Sequence, residues 1–409
     1  MAGEALAAMD ELGDQLPNYQ VVFFTNDSSL PTLPDNVLNV PRSSDINEFS
    51  ALINHILEGE KDKYQPILLD FLVDSKLLRP NIGEFASINL ISGESVIRVE
   101  CIRREPAPEP SASMIEQEWV ADVKIFEDRI YSVNYGGELN VWSLSGENLT
   151  RRSCSDTALK CLDTFGVGSL RYLIMGCQNQ TLVLYKVGDS TTKTSGSVTL
   201  DEMAVFRGHT RSVECVAVNS DAQRFLSGGF DGYLKTPLVT LESHTQAVTG
   251  VNWNPLNESQ AVTVSWDHRI LVWDLEMAGT ILTIPSTKAF TSLSINKTSG
   301  LMITGSADPT IRLWDIRAKE TNTAKATFLG HTGWVSDVKW SPHDDHLFTT
   351  ASFDNTVKMW DLRSPKAALY DMMGHEDRPL AVDWARTASN TGLIASGAAD
   401  GTIRTFKTR

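Results

Sequence analysis

Cysteine, basic residues and long apolar runs are all scarce in this chain of 409 residues. The cysteines are odd in number and include no CxxC pair, which favours reduced thiols over a disulfide framework. They are Cys101, Cys154, Cys161, Cys177 and Cys215. The net charge of −15 argues against a broad basic face for wrapping nucleic acid, although a local basic patch stays open.

Signals for membrane insertion, secretion and catalysis are also missing. No apolar run approaches the roughly 18–20 residues that span a bilayer. Residues 1–14 are acidic and lack the basic start and apolar centre of a secretory signal. There is no GxxxxGKS or GxxxxGKT loop, no HExxH and no cysteine–histidine zinc spacing. We therefore expect an intracellular, non-enzymatic protein with no membrane segment and no intrinsic metal site.

The chain contains a repeated sequence unit. Residues 262–274, 304–315 and 350–361 each show a strand, a turn containing Asp, and a strand ending in Trp-Asp. Seven such turns occur, 36 to 52 residues apart, which brackets the roughly 40–45 residues of a propeller blade. In six of them an aromatic residue stands six positions after the turn residue, whereas Asp231 is followed there by Pro237. The six pairs are Gly136 and Trp142, Asn179 and Tyr185, Asp267 and Trp273, Asp308 and Trp314, Asp354 and Trp360, and Asp400 and Phe406.

Gly-His or Ser-His pairs precede four of these turns, at His209, His244, His331 and His375. With the repeat, they resemble the WD-repeat family over about residues 112–409. The resemblance implies a mainly β fold, a seven-bladed β-propeller. Its ring would be closed by pairing of residues 111–118 with the last blade, which removes exposed strand edges.

The first 104 residues follow a different pattern. Residues 1–18 are rich in alanine and acidic residues and are expected to be disordered. Residues 19–104 predict the order ββαβββ, that of a small α+β ubiquitin-like domain. The helix would be N-capped within residues 43–45 and end at Gly59. Three prolines in residues 105–111 predict a stiff linker to the propeller.

This pairing of domains resembles the Notchless-like N-terminal (NLE) domain, whose carriers are assembly factors of the large ribosomal subunit. Notchless-type propellers have eight blades, whereas seven are expected here. Further stretches are similar to the WD-repeat subunit of the Pescadillo–BOP (PeBoW) complex. They are Phe71–Val73, Leu78–Arg79, Ile91–Glu94, Val99–Ile102, Ser265–His268, Gly330–Val335, Val338–Pro342 and Ala368–Asp371. From these stretches the chain is identified as a member of that family.

The resemblance implies a ribosome assembly factor with no turnover of its own. The propeller would bind the BOP-type WD-repeat protein, which links it to Pescadillo and to the pre-ribosomal large subunit. The ubiquitin-like domain would be gripped by the AAA ATPase midasin, which pulls the complex off the subunit. The protein would act in the nucleus, in nucleolus and nucleoplasm, and processing of large-subunit rRNA precursors would require it.

Glu94 is the residue that the resemblance assigns to midasin. It lies in the turn 92–95 between the last two predicted strands, where an acidic residue of the family reaches the metal-ion-dependent adhesion site of midasin. Carboxylate oxygens are ligands that Mg2+ prefers. Glu94 would donate one ligand to a metal held by the partner, and no other cofactor is implied. Considered alone, without the resemblance, Glu94 fits a solvated turn residue far better.

Two sets of residues invite a catalytic interpretation. They are His244, Ser265, Asp267 and Trp273, and His331, Ser352, Asp354 and Trp360. A catalytic triad would be expected once, with an oxyanion hole, whereas this set recurs from unit to unit. In the resembling family such residues form a hydrogen-bonded chain inside each blade, from His through Ser and Asp to Trp. We expect structural tetrads and no catalytic residue.

Five further residues are candidates for contact with the BOP-type protein. Phe230, Trp266 and Phe353 stand before turn aspartates, and Trp334 and Arg378 follow Gly-His pairs. Aromatic residues and arginine are enriched in interface hot spots. Packing between neighbouring blades is the competing interpretation.

One unit departs from the pattern. After Lys235 the strand should finish with an aromatic residue, yet Thr236-Pro237 begins the next unit at once. Members of the resembling family carry a long charged loop here. We expect that residues are missing between about Lys235 and Thr236.

The alternative of a different class is a substrate adaptor of the ubiquitin pathway. In that interpretation the propeller selects substrates and the ubiquitin-like domain docks a ligase or the proteasome. The lack of a Gly-Gly end on the domain speaks mildly against it.

Overall fold

The computed structural model describes residues 18–27, 30–58, 65–91, 95–189, 198–317, 323–387 and 392–408. Within these ranges the fold is mainly β, as predicted, and neither of its two helices is long and apolar enough to cross a membrane. Contacts divide the chain into two units, Met1–Pro106 and Ala107–Arg409. The predictions for residues 1–17 and for Gly59 fall outside the described residues.

The first unit has one mixed sheet and two helices in its described part. The elements are β1 (Tyr19–Phe24), β2 (Val37–Val40), α1 (Ile46–Glu58), β3 (Leu69–Val73), β4 (Lys76–Leu77), α2 (Ile82–Ile88) and β5 (Ile97–Arg103). The sheet order is β2-β1-β5-β3-β4, with β1 and β5 parallel. The rings of Phe23, Phe49 and Phe71 meet edge to face at 5.3 to 5.9 Å and join β1, α1 and β3 in the core.

Helix α1 is confirmed, whereas α2 was not predicted. Asp45 caps α1, since its Oδ1 accepts two backbone N–H groups at 2.8 Å. Asn81 caps α2 by accepting the N–H of Glu84 at 2.8 Å. With seven residues α2 is too short to show a helical period, and its fold depends on burying Ile82 and Phe85.

The second unit contains seven four-stranded antiparallel sheets in the part of the chain that is described. Sheet 1 comprises β7 (Val120–Phe126), β8 (Arg129–Asn134), β9 (Glu138–Ser143) and β10 (Asn148–Ser153). Sheet 2 comprises β11 (Leu159–Val167), β12 (Leu170–Cys177), β13 (Thr181–Asp189) and β14 (Val198–Arg207). Sheet 3 comprises β15 (Val213–Val218), β16 (Phe225–Gly229), β17 (Tyr233–Lys235) and β18 (Thr240–Glu242).

The remaining sheets follow in chain order. Sheet 4 comprises β19 (Val248–Trp253), β20 (Gln260–Ser265), β21 (Arg269–Asp274) and β22 (Gly279–Pro285). Sheet 5 comprises β23 (Phe290–Ile295), β24 (Leu301–Ser306), β25 (Asp308–Asp315) and β26 (Ala326–Phe328). Sheet 6 comprises β27 (Val335–Trp340), β28 (Leu347–Ser352), β29 (Val357–Asp361) and β30 (Tyr370–Met372). Sheet 7 comprises β31 (Pro379–Arg386), β32 (Gly392–Ala398), β33 (Thr402–Thr408) and β6 (Glu109–Ile115).

The sheets form a closed ring through their first strands. Each first strand contacts that of the next sheet, and β31 of sheet 7 contacts β7 of sheet 1. Strand β6 precedes the ring in the chain and completes sheet 7 by pairing with β33, as predicted. Because β6 begins at Glu109, residues 109–111 lie in the sheet and not in the predicted linker. Pro110 is tolerated because β6 is the outermost strand and pairs on one side only.

Aspartates of the inner strands join neighbouring sheets. Their carboxylates accept backbone N–H groups of the next sheet at 2.7 to 2.9 Å. The donor and acceptor pairs are Ile125 and Asp383, Leu162 and Asp122, Val218 and Asp163, and Val382 and Asp337. Burial opposes the charge of Lys124 beside them, but Asp122, Asp383 and Asp337 outweigh it and raise the Lys124 pKa. The ring is thus fixed by buried charge as well as by apolar packing.

Sheet 3 is shortened at its outer strands. Strands β17 and β18 have three residues each, and their last pair before the turn is Lys235 with Thr240. The N–H of Thr236 donates to the carbonyl of Val239 at 2.9 Å, so the chain turns back where an aromatic residue would otherwise follow. Leu238 at this turn is 94% exposed. The predicted missing residues would fall at the start of this early turn.

Candidate partner-binding face of the ring

One backbone hydrogen bond recurs in all seven sheets and marks equivalent positions at one end of the ring. The residue after each second strand donates its N–H to the carbonyl of the residue before the first strand, at 2.8 to 3.0 Å. The pairs are Tyr135 and Trp119, Gln178 and Ala158, Phe230 and Ser212, Trp266 and Ala247, Ala307 and Ala289, Phe353 and Trp334, and Ala399 and Arg378. We call this end of the ring the aromatic face.

A large aromatic cluster spans sheets 6, 7, 1 and 2. It consists of Trp334, Phe353, Arg378, Trp119, Tyr135 and Lys160. The rings of Trp334 and Phe353 are stacked 5.9 Å apart. The Arg378 guanidinium lies 5.4 Å from the Phe353 ring centre and 5.5 Å from that of Trp119. Trp119 meets Tyr135 edge to face at 5.6 Å, and the Lys160 amine lies 4.2 Å from the Tyr135 ring centre.

A small aromatic cluster occupies sheets 3 and 4. The Phe230 and Trp266 rings meet edge to face at 5.7 Å, and the Arg211 guanidinium lies 4.4 Å from the Phe230 ring centre. Sheet 5 has only Ala289 and Ala307 at the equivalent positions, which leaves a gap between the two clusters.

The rings pack on one another and still face solvent. Trp334 is 52% exposed, Trp119 44%, Trp266 42% and Tyr135 37%. Large aromatic side chains that remain this open are typical of surfaces that bind a partner. Packing between sheets and availability to a partner are therefore both features of this face.

All five predicted interface candidates lie on the aromatic face. Sequence reasoning missed the members that come from sheets 1, 2 and 3, namely Trp119, Tyr135, Lys160 and Arg211. Tyr135 stands directly before the turn residue Gly136, so the rule that selected Phe230 would have found it if it had been extended from turn aspartates to every turn residue. The cation–ring contacts carried no sequence signal, because the partners are distant in the chain.

The predicted tetrads exist, but with a different hydroxyl. In sheet 4 the indole N–H of Trp273 donates to Thr263 Oγ1 at 2.8 Å, and His244 Nε2 lies 2.7 Å from the same oxygen. His244 Nδ1 lies 2.8 Å from Asp267 Oδ2. Ser265 instead donates to a backbone carbonyl at 3.2 Å, so its prediction was wrong. The order is Trp, Thr, His, Asp.

Sheet 6 repeats this arrangement. Thr350 Oγ1 accepts the Trp360 indole N–H at 2.9 Å and lies 2.7 Å from His331 Nε2, while His331 Nδ1 lies 2.8 Å from Asp354 Oδ2. The Ser352 hydroxyl accepts the N–H of Asp354, at 3.3 Å, and does not take part in this hydrogen-bonded set. Thr350 and Ser352 share a strand face, but Thr350 is the one nearer to the indole on the neighbouring strand.

In this hydrogen-bonded set of sheet 6, the indole N–H, the threonine hydroxyl and both histidine nitrogens all have partners if His331 carries its proton on Nδ1. The indole donates to Thr350, the threonine hydroxyl donates to Nε2, and Nδ1–H donates to Asp354. Burial disfavours the Asp354 charge, but hydrogen bonds from His331, Thr356 and the Thr332 backbone outweigh it and hold the Asp354 pKa below its usual range. The arrangement leaves no free nucleophile and serves packing.

Sheet 1 uses a glutamate in place of the histidine. Glu116 accepts hydrogen bonds from Ser132 and, at 2.9 Å, from Asn134 Nδ2, and Ser132 accepts the Trp142 indole N–H at 2.9 Å. In sheet 3, His209 contacts Ser227 and Asp231, but no aromatic residue completes the set because Pro237 stands at its position.

Glu94 lies outside the described residues. Among those that are described, no group of three or more His, Cys, Asp and Glu side chains is placed to hold a metal ion.

Comparison with known families bears on both units. The NLE (NUC135) domain model matches residues 19–86, and the WD domain, G-beta repeat model matches residues 200–236, 235–274, 280–315 and 322–361. The ribosome biogenesis protein WDR12 homolog of Brugia malayi is 40% identical over 92% of each chain. That of Caenorhabditis briggsae is 34% identical over 97% of this chain and 96% of its own.

The alignment with the Caenorhabditis briggsae homolog extends over 443 residues, which is more than the 409 residues of this chain. The Caenorhabditis briggsae protein therefore has residues that lack a counterpart here. The homolog of Drosophila sechellia is 33% identical over 88% of this chain and 89% of its own. Fold and matches together define a WD-repeat protein with an N-terminal NLE domain. The chain belongs to the WDR12 family of ribosome biogenesis proteins.

Proposed function

We propose that this protein is a non-enzymatic assembly factor of the large ribosomal subunit, acting in nucleolus and nucleoplasm. Its membership in the WDR12 family is the observation that carries the proposal. We further propose that the seven sheets are the blades of a WD-repeat β-propeller and that the first unit is ubiquitin-like. The closed ring of four-stranded sheets supports the first assignment, and the mixed sheet packed on α1 supports the second.

In this proposal the two units have separate tasks. The propeller binds the BOP-type WD-repeat protein and, through it, Pescadillo and the pre-ribosome. The ubiquitin-like domain is held by midasin, whose ATP-driven pull releases the complex and allows processing of rRNA precursors to continue. The half-exposed aromatic residues of the ring support a role in binding, and the fully partnered tetrads support a structural role for the residues that resemble a triad.

Glu94→Ala is expected to abolish binding of the midasin adhesion domain, because the carboxylate would supply one oxygen to its Mg2+. A pull-down of that domain with both forms, each in Mg2+ and in EDTA, measures this. Glu100→Ala is the matched control, since its carboxylate accepts from Asn26 at 2.9 Å within the fold.

Equal binding of wild type and Glu94→Ala would remove Glu94 as the ligand. If neither form binds in Mg2+, the midasin assignment fails, and binding to proteasome receptors or cullin adaptors becomes the next measurement.

We also propose that natural transcripts encode residues between Lys235 and Thr236 that this sequence lacks. The early turn, the three-residue strands of sheet 3 and Pro237 at the aromatic position support this. Sequencing the messenger across these codons is expected to reveal additional codons that restore an aromatic residue six positions after Asp231. A genomic coding sequence that runs uninterrupted from Lys235 to Thr236 would contradict it.

A further inference from the structure

We propose that the large aromatic cluster is the surface by which the ring binds its protein partner, and that the partner supplies a segment with carboxylates beside apolar side chains. The inference rests on the proposed function, in which the ring docks the BOP-type protein, and adds to it the face and the chemistry of contact.

The exposed rings supply the apolar part of this surface. Trp334 and Trp119 are about half exposed and are held in place by Phe353, Arg378 and Tyr135, so binding would order few additional side chains. Rigid aromatic residues with a central arginine are typical of the residues that dominate binding energy.

The cations supply the charged part. Lys160 lies over the Tyr135 ring and, in the small aromatic cluster, Arg211 lies over the Phe230 ring. Neither cation forms an ion pair with any residue that the structure describes. Among the described residues, Arg378 forms an ion pair only with its neighbour Asp377, at 3.2 Å, and both side chains remain about 40 to 45% exposed. A carboxylate reaching this face would meet positive charge already positioned by aromatic rings.

The charge of the rest of the molecule also favours a carboxylate-bearing protein segment at this cluster. With a net charge of −15, the chain as a whole repels an acidic segment, so the large aromatic cluster, which combines the two cations Arg378 and Lys160 with four large rings, is a local exception. Glu118 and Glu376 are exposed and lie within two positions of Trp119 and Arg378 in the chain, and they would repel the continuous phosphates of nucleic acid. A protein segment, in which carboxylates alternate with apolar residues, fits this pattern better.

The hairpin of sheet 2 offers a matched control at the other end of the ring. Val167 and Leu170 pair with each other at its tip and are 42% and 40% exposed, as open as Trp119. Since β11 starts beside the aromatic face at Leu159 and ends at Val167, this tip lies at the opposite end of the sheet.

The test uses the full chain and a purified BOP-type propeller domain as the probe, with affinity measured by titration calorimetry. Arg378→Glu and Trp119→Ala are each expected to weaken binding at least about tenfold, and Arg378→Lys less than Arg378→Glu. Val167→Ser with Leu170→Ser should change affinity less than about twofold. Thermal unfolding of each variant verifies that the ring is intact.

The outcomes separate the two proposals. Failure of the wild-type chain to bind this probe would overturn the docking part of the proposed function and this inference with it. Binding by the wild type that Arg378→Glu and Trp119→Ala leave unchanged would overturn the inference alone. Binding of a single-stranded uridine 12-mer that both substitutions abolish would overturn the assignment to a protein partner.

Discussion

Replacing Thr350 by valine is expected to lower the free energy of unfolding by about 2–4 kcal/mol, because two buried polar groups would lose their partner. Valine keeps the shape of threonine, so the change creates no cavity. The Trp360 indole N–H and His331 Nε2, at 2.9 and 2.7 Å from the hydroxyl, would both be left without a hydrogen bond. Urea unfolding followed by tryptophan fluorescence measures the difference.

Ser352→Ala is the matched control for this prediction. Its side chain is as buried as that of Thr350, on the same strand and the same face. Yet it makes one long hydrogen bond, 3.3 Å from the N–H of Asp354. Its loss should cost about 1 kcal/mol or less. If Ser352→Ala destabilised sheet 6 as much as Thr350→Val, the Trp, Thr, His, Asp order would be incorrect.

The same pair of residues shows how far sequence reasoning reaches. The family resemblance placed His331, Asp354 and Trp360 in one hydrogen-bonded set correctly, and the spacing of turns fixes which strand carries each residue. It wrongly named Ser352 in place of Thr350, because neither the resemblance nor the spacing distinguishes two hydroxyls at i and i+2, which share a strand face. That choice depends on which hydroxyl lies beside the indole across the ladder, and register between strands is a tertiary property.

The other differences have similar causes. Helix α2 escaped prediction because its seven residues show no period, although Asn81 before it is a recognisable cap. On the aromatic face, the turn positions identified Phe230, Trp266 and Phe353. The sequence could not show that Arg378 lies between Phe353 and Trp119, which are separated by more than 200 residues and meet only when the ring closes.

The second large effect on the free energy of unfolding is expected from replacing Glu116, which lies where the ring closes. This residue connects β6 of sheet 7 to β7 of sheet 1, and its N–H donates to the carbonyl of Gly401 at 2.7 Å. Its buried carboxylate is the acceptor for both Ser132 and Asn134. Glu116→Ala is expected to cost about 2–4 kcal/mol, because the buried Ser132 hydroxyl would lose its acceptor and Asn134 Nδ2 would keep only its bond to Glu138, at 3.1 Å. The midpoint of urea unfolding checks this.

Glu116→Gln keeps the shape of the side chain and removes its titrating carboxyl group, so it isolates the effect of the charge on stability. Burial raises the pKa of Glu116 above its ordinary value of 4.5, since the hydrogen bonds from Ser132 and Asn134 do not fully offset the loss of solvent. The folded protein therefore binds this proton more tightly than the unfolded chain does, and ionisation above the folded pKa costs stability. The wild type should gain stability relative to Glu116→Gln as pH falls from 7 towards about 4.5.

The difference between the two unfolding curves isolates this effect, because every other titrating group is common to both proteins. In the same range His375, whose pKa is lowered by burial, acts in the opposite direction, so the wild-type curve alone would conceal the contribution of Glu116. A wild type that loses stability relative to Glu116→Gln on acidification would show that the carboxylate is needed in its ionised form. Ring closure would then depend on the charge of Glu116 and not only on its two acceptor oxygens.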